Sequence, residues 1–185
     1  MPVRLRLTLV VALCAVAARA DAPVPLDLRR GSLSYIVVHK LHEVRGTTHE
    51  LEGKALLLPD GRARVQVRAK VATFDSGNSN RDEHMREATH AVEHQYASVK
   101  GTLEGVTLPL SSAVEKTLSA IVELNGEKQA VEIPLKLAPA EGGVRVTFSF
   151  PISLDAFHVE RPDLFFVKVE DKVVIEGDVT FGTSK

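Results

Sequence analysis

The residues best suited to chemistry lie in a polar segment between Phe74 and Met85. Arg81 and Asp82 are adjacent there, and His84 follows two positions later. A guanidinium binds a carboxylate, phosphate or carbonyl through directional N–H donors, so Arg81 is suited either to fixing the local chain or to holding the polar group of a ligand. Asp82 is expected in the first turn of a helix, where the helix dipole favours negative charge. Both the structural and the ligand-binding roles remain open for these residues.

A single short helix is predicted within 78–94. Asn80 followed by Glu83 has the spacing of a capping box at a helix start. Gly77 and Asn78, just before it, are typical of a turn with positive φ. Three apolar residues would then share one face of the helix: Met85, Ala88 and Val92.

The histidines raise a metal site as an alternative. Glu87, His90 and His94 would share one helical face, and imidazole and carboxylate groups at that spacing can bind zinc. That face lies opposite the apolar stripe, so we expect it to be solvated and without the buried groups that orient metal ligands. We therefore predict no metal site. His39 and His42 are interpreted as core or mouth histidines of a strand end, with ligand contact as the alternative.

Sequence motifs of catalysis and of nucleic-acid binding are absent. There is no G-x-S-x-G elbow, no G-x-G-x-x-G and no Walker loop, so neither a nucleophilic enzyme nor a nucleotide cofactor is expected. The net charge of −1 over 185 residues gives no support to nucleic-acid binding. We predict that the protein is not an enzyme; an exported metal enzyme using His90 and His94 is a minor alternative.

The first 20 residues have the features of a secretory signal peptide. A basic start with Arg4 and Arg6 precedes the apolar run 7–18, and Ala18-Arg19-Ala20 supplies small residues at a cleavage site. The run has about 12 residues, whereas a membrane span needs about 20. We expect cleavage near Ala20 and a periplasmic or secreted protein with no membrane span.

Cys14, the only cysteine, offers a lipoprotein as the alternative. Lipoprotein signals carry a small residue before the acylated cysteine, but Leu13 stands at that position, so cleavage after Ala20 is preferred. The mature chain would then lack cysteine and would have to fold without disulfides. With 44% apolar residues, a chain of this length can bury a sufficient core.

Residues 32–182 show the period-two alternation of β-strands, after a predicted leader at 21–31. The alternation is clearest in 63–71, where the apolar face comprises Val65, Val67, Ala69 and Val71. About eight strands are predicted, with Asn125-Gly126 as a hairpin turn. Such strands close into a barrel or stack as a sandwich, and alternation alone does not distinguish the two. Small inward residues would leave ligand space in a barrel, or would fill the thin core of a sandwich.

Segment 74–85 resembles the signature of the YceI-like family. Its residues follow the pattern (Thr/Ser)-Gly-Asn-x-x-Arg-Asp-x-His-(Leu/Met), from Ser76 to Met85. Three further parts of the chain are similar to the family: Val37-Val38-His39 with the later Gly46, the segment 151–157, and the segment 173–181. The resemblance covers roughly 31–182.

The resemblance implies an all-β, eight-stranded antiparallel barrel of lipocalin-like form with one short helix. It also implies an exported protein that binds a polyprenoid or an isoprenoid quinone, for sequestration or transport, with no other cofactor. The alternative is a stress-response or interaction domain whose barrel is filled by its own side chains. The implied partner is an apolar lipid, with a homodimer left open.

The candidate ligand-binding residues combine the motif with the inward faces of the predicted strands. They are Tyr35, Val37, His39, Val65, Val67, Ala69, Val71, Arg81, Asp82, His84, Phe148 and Phe150.

Overall fold

The computed structural model describes residues 22–39, 42–161, 163–164 and 167–183. The predicted signal peptide therefore lies outside the described residues. In chain order the strands are β1 (Val24–His39), β2 (His42–Thr48), β3 (Leu51–Leu57), β4 (Ala63–Lys70), β5 (Tyr96–Leu103), β6 (Val114–Leu124), β7 (Glu127–Ala140), β8 (Gly143–Ser153), β9 (Asp163–Leu164), β10 (Val167–Lys168) and β11 (Lys172–Thr183). One α-helix, α1 (Ser79–Ala88), lies between β4 and β5.

Eight strands form a closed antiparallel barrel in the order β1-β3-β4-β5-β6-β7-β8-β11, and β11 pairs back onto β1. Closure protects most of the sheet edge, and an exposed edge is the usual hazard of a large antiparallel sheet. The predicted eight-stranded barrel with one helix is confirmed, and the sandwich is not the fold. Residues 24–31 were expected to belong to a leader before the first strand. They instead form the first half of β1 and pair with β3 and β11.

One side of the barrel opens where β2 leaves the main sheet. β1 pairs with β3 through Val24–Asp27 and with β2 through Leu33–His39, so β2 and β3 together act as one bent strand. The chain after β4 follows β2, and Thr47 and Asp75 exchange backbone hydrogen bonds of 2.9 and 3.0 Å. The motif segment and α1 therefore lie beside β2 at this opening.

The hairpin turn at Asn125-Gly126 is as predicted. Both residues have positive φ, +52° and +79°, as expected for the two-residue turns that match the strand twist. The turn lies at the same end of the barrel as the last residues of β4 and the first residues of β5. The opposite end carries the β3–β4 and β7–β8 turns.

The start of α1 differs from the sequence prediction. Asn78, not Asn80, caps the helix: it has extended backbone (φ −145°), and its Oδ1 accepts a hydrogen bond of 3.0 Å from the Arg81 backbone N–H. Gly77 has the positive φ expected of it, +75°, but Asn78 does not. The predicted capping box at Asn80 and Glu83 is therefore wrong.

The end of α1 also corrects the predicted apolar stripe. The helix stops at Ala88, and the Thr89 hydroxyl donates to the Met85 carbonyl at 2.7 Å. His90 then takes a left-handed backbone conformation, φ +45°. Val92 consequently leaves the predicted face and is 81% exposed.

Ser76 is the centre of the hydrogen bonds that hold the motif together. Asp82 is buried, and its Oδ1 and Oδ2 accept from the Ser76 backbone N–H at 3.1 and 3.3 Å. The Ser76 hydroxyl donates to Asp82 Oδ1 at 2.6 Å. Arg81 donates to the Ser76 hydroxyl and carbonyl oxygens, both at 2.9 Å. A structural Arg81 was expected to contact a carboxylate, but its guanidinium donates to these neutral oxygens instead.

We predict that Asp82→Ala destabilises the protein by about 1–3 kcal/mol, because the half-buried Ser76 donors lose a charged acceptor. Glu83→Ala is the control, since Glu83 is exposed in the same helical turn. It should change stability by no more than about 0.5 kcal/mol. Urea unfolding of both variants measures the difference, and equal losses would contradict the role assigned to Asp82.

Candidate ligand-binding cavity

A cavity of about 560 Å³ lies inside the barrel. Apolar side chains from all eight barrel strands line it, and it extends from α1 to Leu26, Leu57 and Phe181 at the opposite end. Volumes of this size hold drug-sized organic ligands. The described interior is therefore not filled by the protein's own side chains.

Most of the predicted binding residues line this cavity: Tyr35, Val37, Val65, Val67, Ala69, Val71, Arg81, His84, Phe148 and Phe150. Asp82 is not a lining residue, because its carboxylate faces Ser76. His39 is the last residue of β1, and its side chain lies outside the described part of the structure.

The sequence analysis did not identify the lining residues of the other strands or the apolar lining residues of α1 as ligand-binding residues. Val99 in β5, Leu135 in β7 and Ile175 in β11 occupy inward positions, and Met85 and Ala88 close the cavity from the helix. Period-two alternation marks the strand residues as inward-facing. It does not tell which inward positions face open volume and which are packed.

Two inward positions of β4, Val67 and Ala69, show this difference. Ala69 is only 1% exposed, so its methyl group is tightly packed although it borders the cavity. Val67, two residues earlier, lines the cavity and keeps accessible surface. A larger side chain therefore has room at Val67 and little at Ala69.

Polar residues among the cavity lining are concentrated on α1. Asn78, Arg81 and His84 all belong to the cap and first turns of this helix. The Arg81 guanidinium donates directly to the neutral oxygens of Ser76, and the Asp82 carboxylate accepts from the same Ser76 hydroxyl. Arg68 also borders the cavity, but its guanidinium binds Glu52 at 2.6 and 2.9 Å. Polar groups that border the cavity therefore lie mainly at its α1 end, which we call the mouth.

Tyr35 lines the cavity near this mouth and is linked to the motif around Ser76. Its ring packs against Phe74 with centroids 5.6 Å apart. Burial raises the pKa of the phenol above its usual value of 10.0, and the charge of Asp82 raises it further, while Arg81 acts in the opposite direction. A hydrogen bond with the Ser76 side chain also acts in the lowering direction, but the pKa is raised on balance, so the phenol is protonated at neutral pH and already contacts the motif.

Asn125 connects the chain that follows α1 to the segment around Phe157 and His158 at this end of the barrel. Its side chain is buried, and Nδ2 donates to the carbonyls of Phe157 and His158 at 3.1 and 3.0 Å. Its Oδ1 lies 2.8 Å from Nδ1 of His90, in the chain that follows α1. The turn propensity of Asn125 was visible in the sequence, but this connection was not, because its partners are more than thirty positions away.

The predicted histidine face does not form. Since α1 ends at Ala88, Glu87, His90 and His94 do not share one helical face. His90 faces Asn125, and the His94 ring lies against Gly126. Across the described ranges, no three His, Cys, Asp or Glu residues are grouped in a way that would hold a metal ion.

Comparison with known proteins identifies the fold. A polyisoprenoid binding domain from Saccharophagus degradans, implicated in plant cell wall breakdown, is 15% identical with a TM-score of 0.69 over 87% of this chain and 99% of its own. BcnA of Burkholderia cenocepacia is 16% identical with a TM-score of 0.69, over 81% and 95%. The YCEI protein of Campylobacter jejuni is 12% identical with a TM-score of 0.61, over 80% and 89%. No curated protein matches the sequence.

Within the described residues, no helix is both long enough and apolar enough to cross a membrane. The sequence of residues 26–181 matches the YceI-like domain, from the first half of β1 to Phe181 near the end of β11. This range contains the motif around Ser76, all eight barrel strands and the cavity between them, so the chain belongs to the YceI-like domain family.

Proposed function

We propose that this protein binds a long apolar lipid of isoprenoid type, a polyprenoid or an isoprenoid quinone, and sequesters or transports it. The observation that carries the proposal is the apolar cavity of about 560 Å³ inside the closed barrel. The polyisoprenoid binding domain of S. degradans, which shares the fold, supports this ligand class.

Burial of the tail supplies the affinity. Each CH₂ group moved from water into the cavity contributes about 0.8 kcal/mol, so ten such groups contribute about 8 kcal/mol before the costs of ordering are subtracted. Because the wall is almost wholly apolar, it offers few hydrogen-bonding groups that could distinguish one apolar tail from another. Binding of this kind needs no catalytic group, in keeping with the absence of catalytic motifs from the sequence.

The mouth supports a role for a polar head group. Arg81 and His84 line the cavity there, and the Tyr35 phenol lies near Arg81. Arginine N–H groups bind carbonyl and phosphate oxygens well, which suits either a quinone or a prenyl phosphate. Arg81 would then both hold the motif through Ser76 and bind the head group of the ligand.

The alternative, an interaction or stress-response domain with a filled barrel, needs an interior without open volume. The cavity argues against that interior. We further propose that the protein acts in the periplasm or outside the cell, after removal of residues 1–20, because their sequence has the charged, apolar and small-residue regions of a signal peptide.

Filling the cavity should abolish lipid uptake without unfolding the protein. We predict that Val67→Phe prevents uptake of a long-tailed isoprenoid quinone, measured by native mass spectrometry of delipidated protein mixed with the lipid. The melting temperature of the lipid-free variant should fall by less than about 3 °C, because the ring enters space that is already open.

Gln66→Phe is the matched control, because Gln66 is exposed on the outer face of the same strand. It should retain uptake. Strong destabilisation by Val67→Phe, or retained uptake, would contradict an open lipid cavity.

The export proposal predicts the mature N-terminus. Intact-mass measurement of the protein secreted by a bacterial host should give a chain that begins at Asp21 and contains no thiol. An N-terminal, acylated Cys14 would instead make the protein a lipoprotein.

A further inference from the structure

The ring of Phe148 lies flat against the barrel wall, over a glycine of the next strand. Phe148 in β8 pairs with Gly177 in β11. A Cβ atom placed on Gly177 would lie 2.1 Å from Cζ and 2.5 Å from Cε1 of that ring. Non-bonded carbon atoms normally stay about 3.5–4.0 Å apart, so any side chain at position 177 would displace the ring.

A second pair repeats this arrangement in the same wall. Tyr35 in β1 pairs with Gly46 in β2, and a Cβ atom on Gly46 would lie 2.3 Å from two ring carbons of Tyr35. On its other side Tyr35 pairs with Ile175 of β11, two residues from Gly177. Both rings therefore lean in one direction across neighbouring strands, which keeps them out of the cavity that both line.

Gly177 lies midway along the cavity. Ile175 lines the part nearer α1, and Val179 and Phe181 line the part towards the opposite end. At the usual rise of a strand, the four residue-to-residue steps from Gly177 to Phe181 span about 13 Å. A ring displaced from Gly177 into the cavity would separate this deep part from the mouth.

We propose that Gly177 determines the length of the lipid tail that the protein admits, by allowing the Phe148 ring to lie against the wall. This inference rests on the proposed binding of isoprenoid lipids. The absence of a side chain at position 177 leaves the deep half of the cavity connected to the mouth, and the tail of the lipid occupies it.

Gly177→Ala tests the proposal with isoprenoid quinones that differ only in tail length. The variant should bind the longest tails at least about tenfold more weakly than the wild type, since several buried methylene groups lose their place. Short tails, which end above position 177, should bind within about twofold of the wild type. Fluorescence or calorimetric titration of delipidated protein measures both affinities.

The double variant Gly177→Ala/Phe148→Leu is the matched control, because it removes the displaced ring and should restore long-tail binding. If Gly177→Ala folds poorly, Phe148→Trp with Gly177 intact tests whether a bulkier ring at this level blocks the cavity. This variant is also expected to bind long tails more weakly than short ones. An unchanged dependence on tail length in Gly177→Ala, or no recovery in the double variant, overturns the proposal. A wild-type protein that binds none of the quinones would contradict the proposed function itself.

Discussion

Closure of the sheet between β1 and β11 is the constraint on which the rest of the structure depends. Protein interiors are normally close-packed, and an empty apolar volume forgoes contacts on all its walls. A ring of eight hydrogen-bonded strands cannot collapse onto itself as separate layers can, so it sustains a cavity of about 560 Å³. Glycines beneath the rings of Tyr35 and Phe148 keep two of the bulkiest side chains of one wall out of that space.

The motif around Ser76 lies where the hydrogen-bonded pairing of the barrel strands is interrupted. β2 bends away from β4, and the chain after β4 crosses the opening before α1 begins. Asp82 and Arg81 bind Ser76 from two sides and fix that crossing. Arg81 also lines the cavity, so the structural and ligand-facing roles left open by the sequence are compatible in one residue.

The parts of the fold that could be predicted from the sequence are those encoded locally. The alternation of β4 and the turn at Asn125-Gly126 depend on neighbouring residues and were predicted correctly. The end of α1 was missed because the spacing of Met85 and Val92 suits a longer helix, whereas the left-handed His90 ends it.

The remaining features depend on pairing between distant strands. Ala69 and Val67 are equivalent by alternation, and only the packed barrel shows that one is enclosed and the other faces open volume. The contact between Phe148 and Gly177 likewise requires the register of β8 and β11. The prediction of a barrel and not a sandwich came from the family resemblance, because the alternation of the strands is compatible with both folds.

The central claim is that an open apolar cavity takes up the tail of a lipid. Calorimetric titration of the delipidated protein with a water-dispersible, short-tailed isoprenoid quinone at several temperatures tests it most directly, because burial of apolar surface lowers the heat capacity. The account predicts one ligand per chain and a clearly negative heat-capacity change. Absence of binding, or binding with a heat-capacity change near zero, would contradict it.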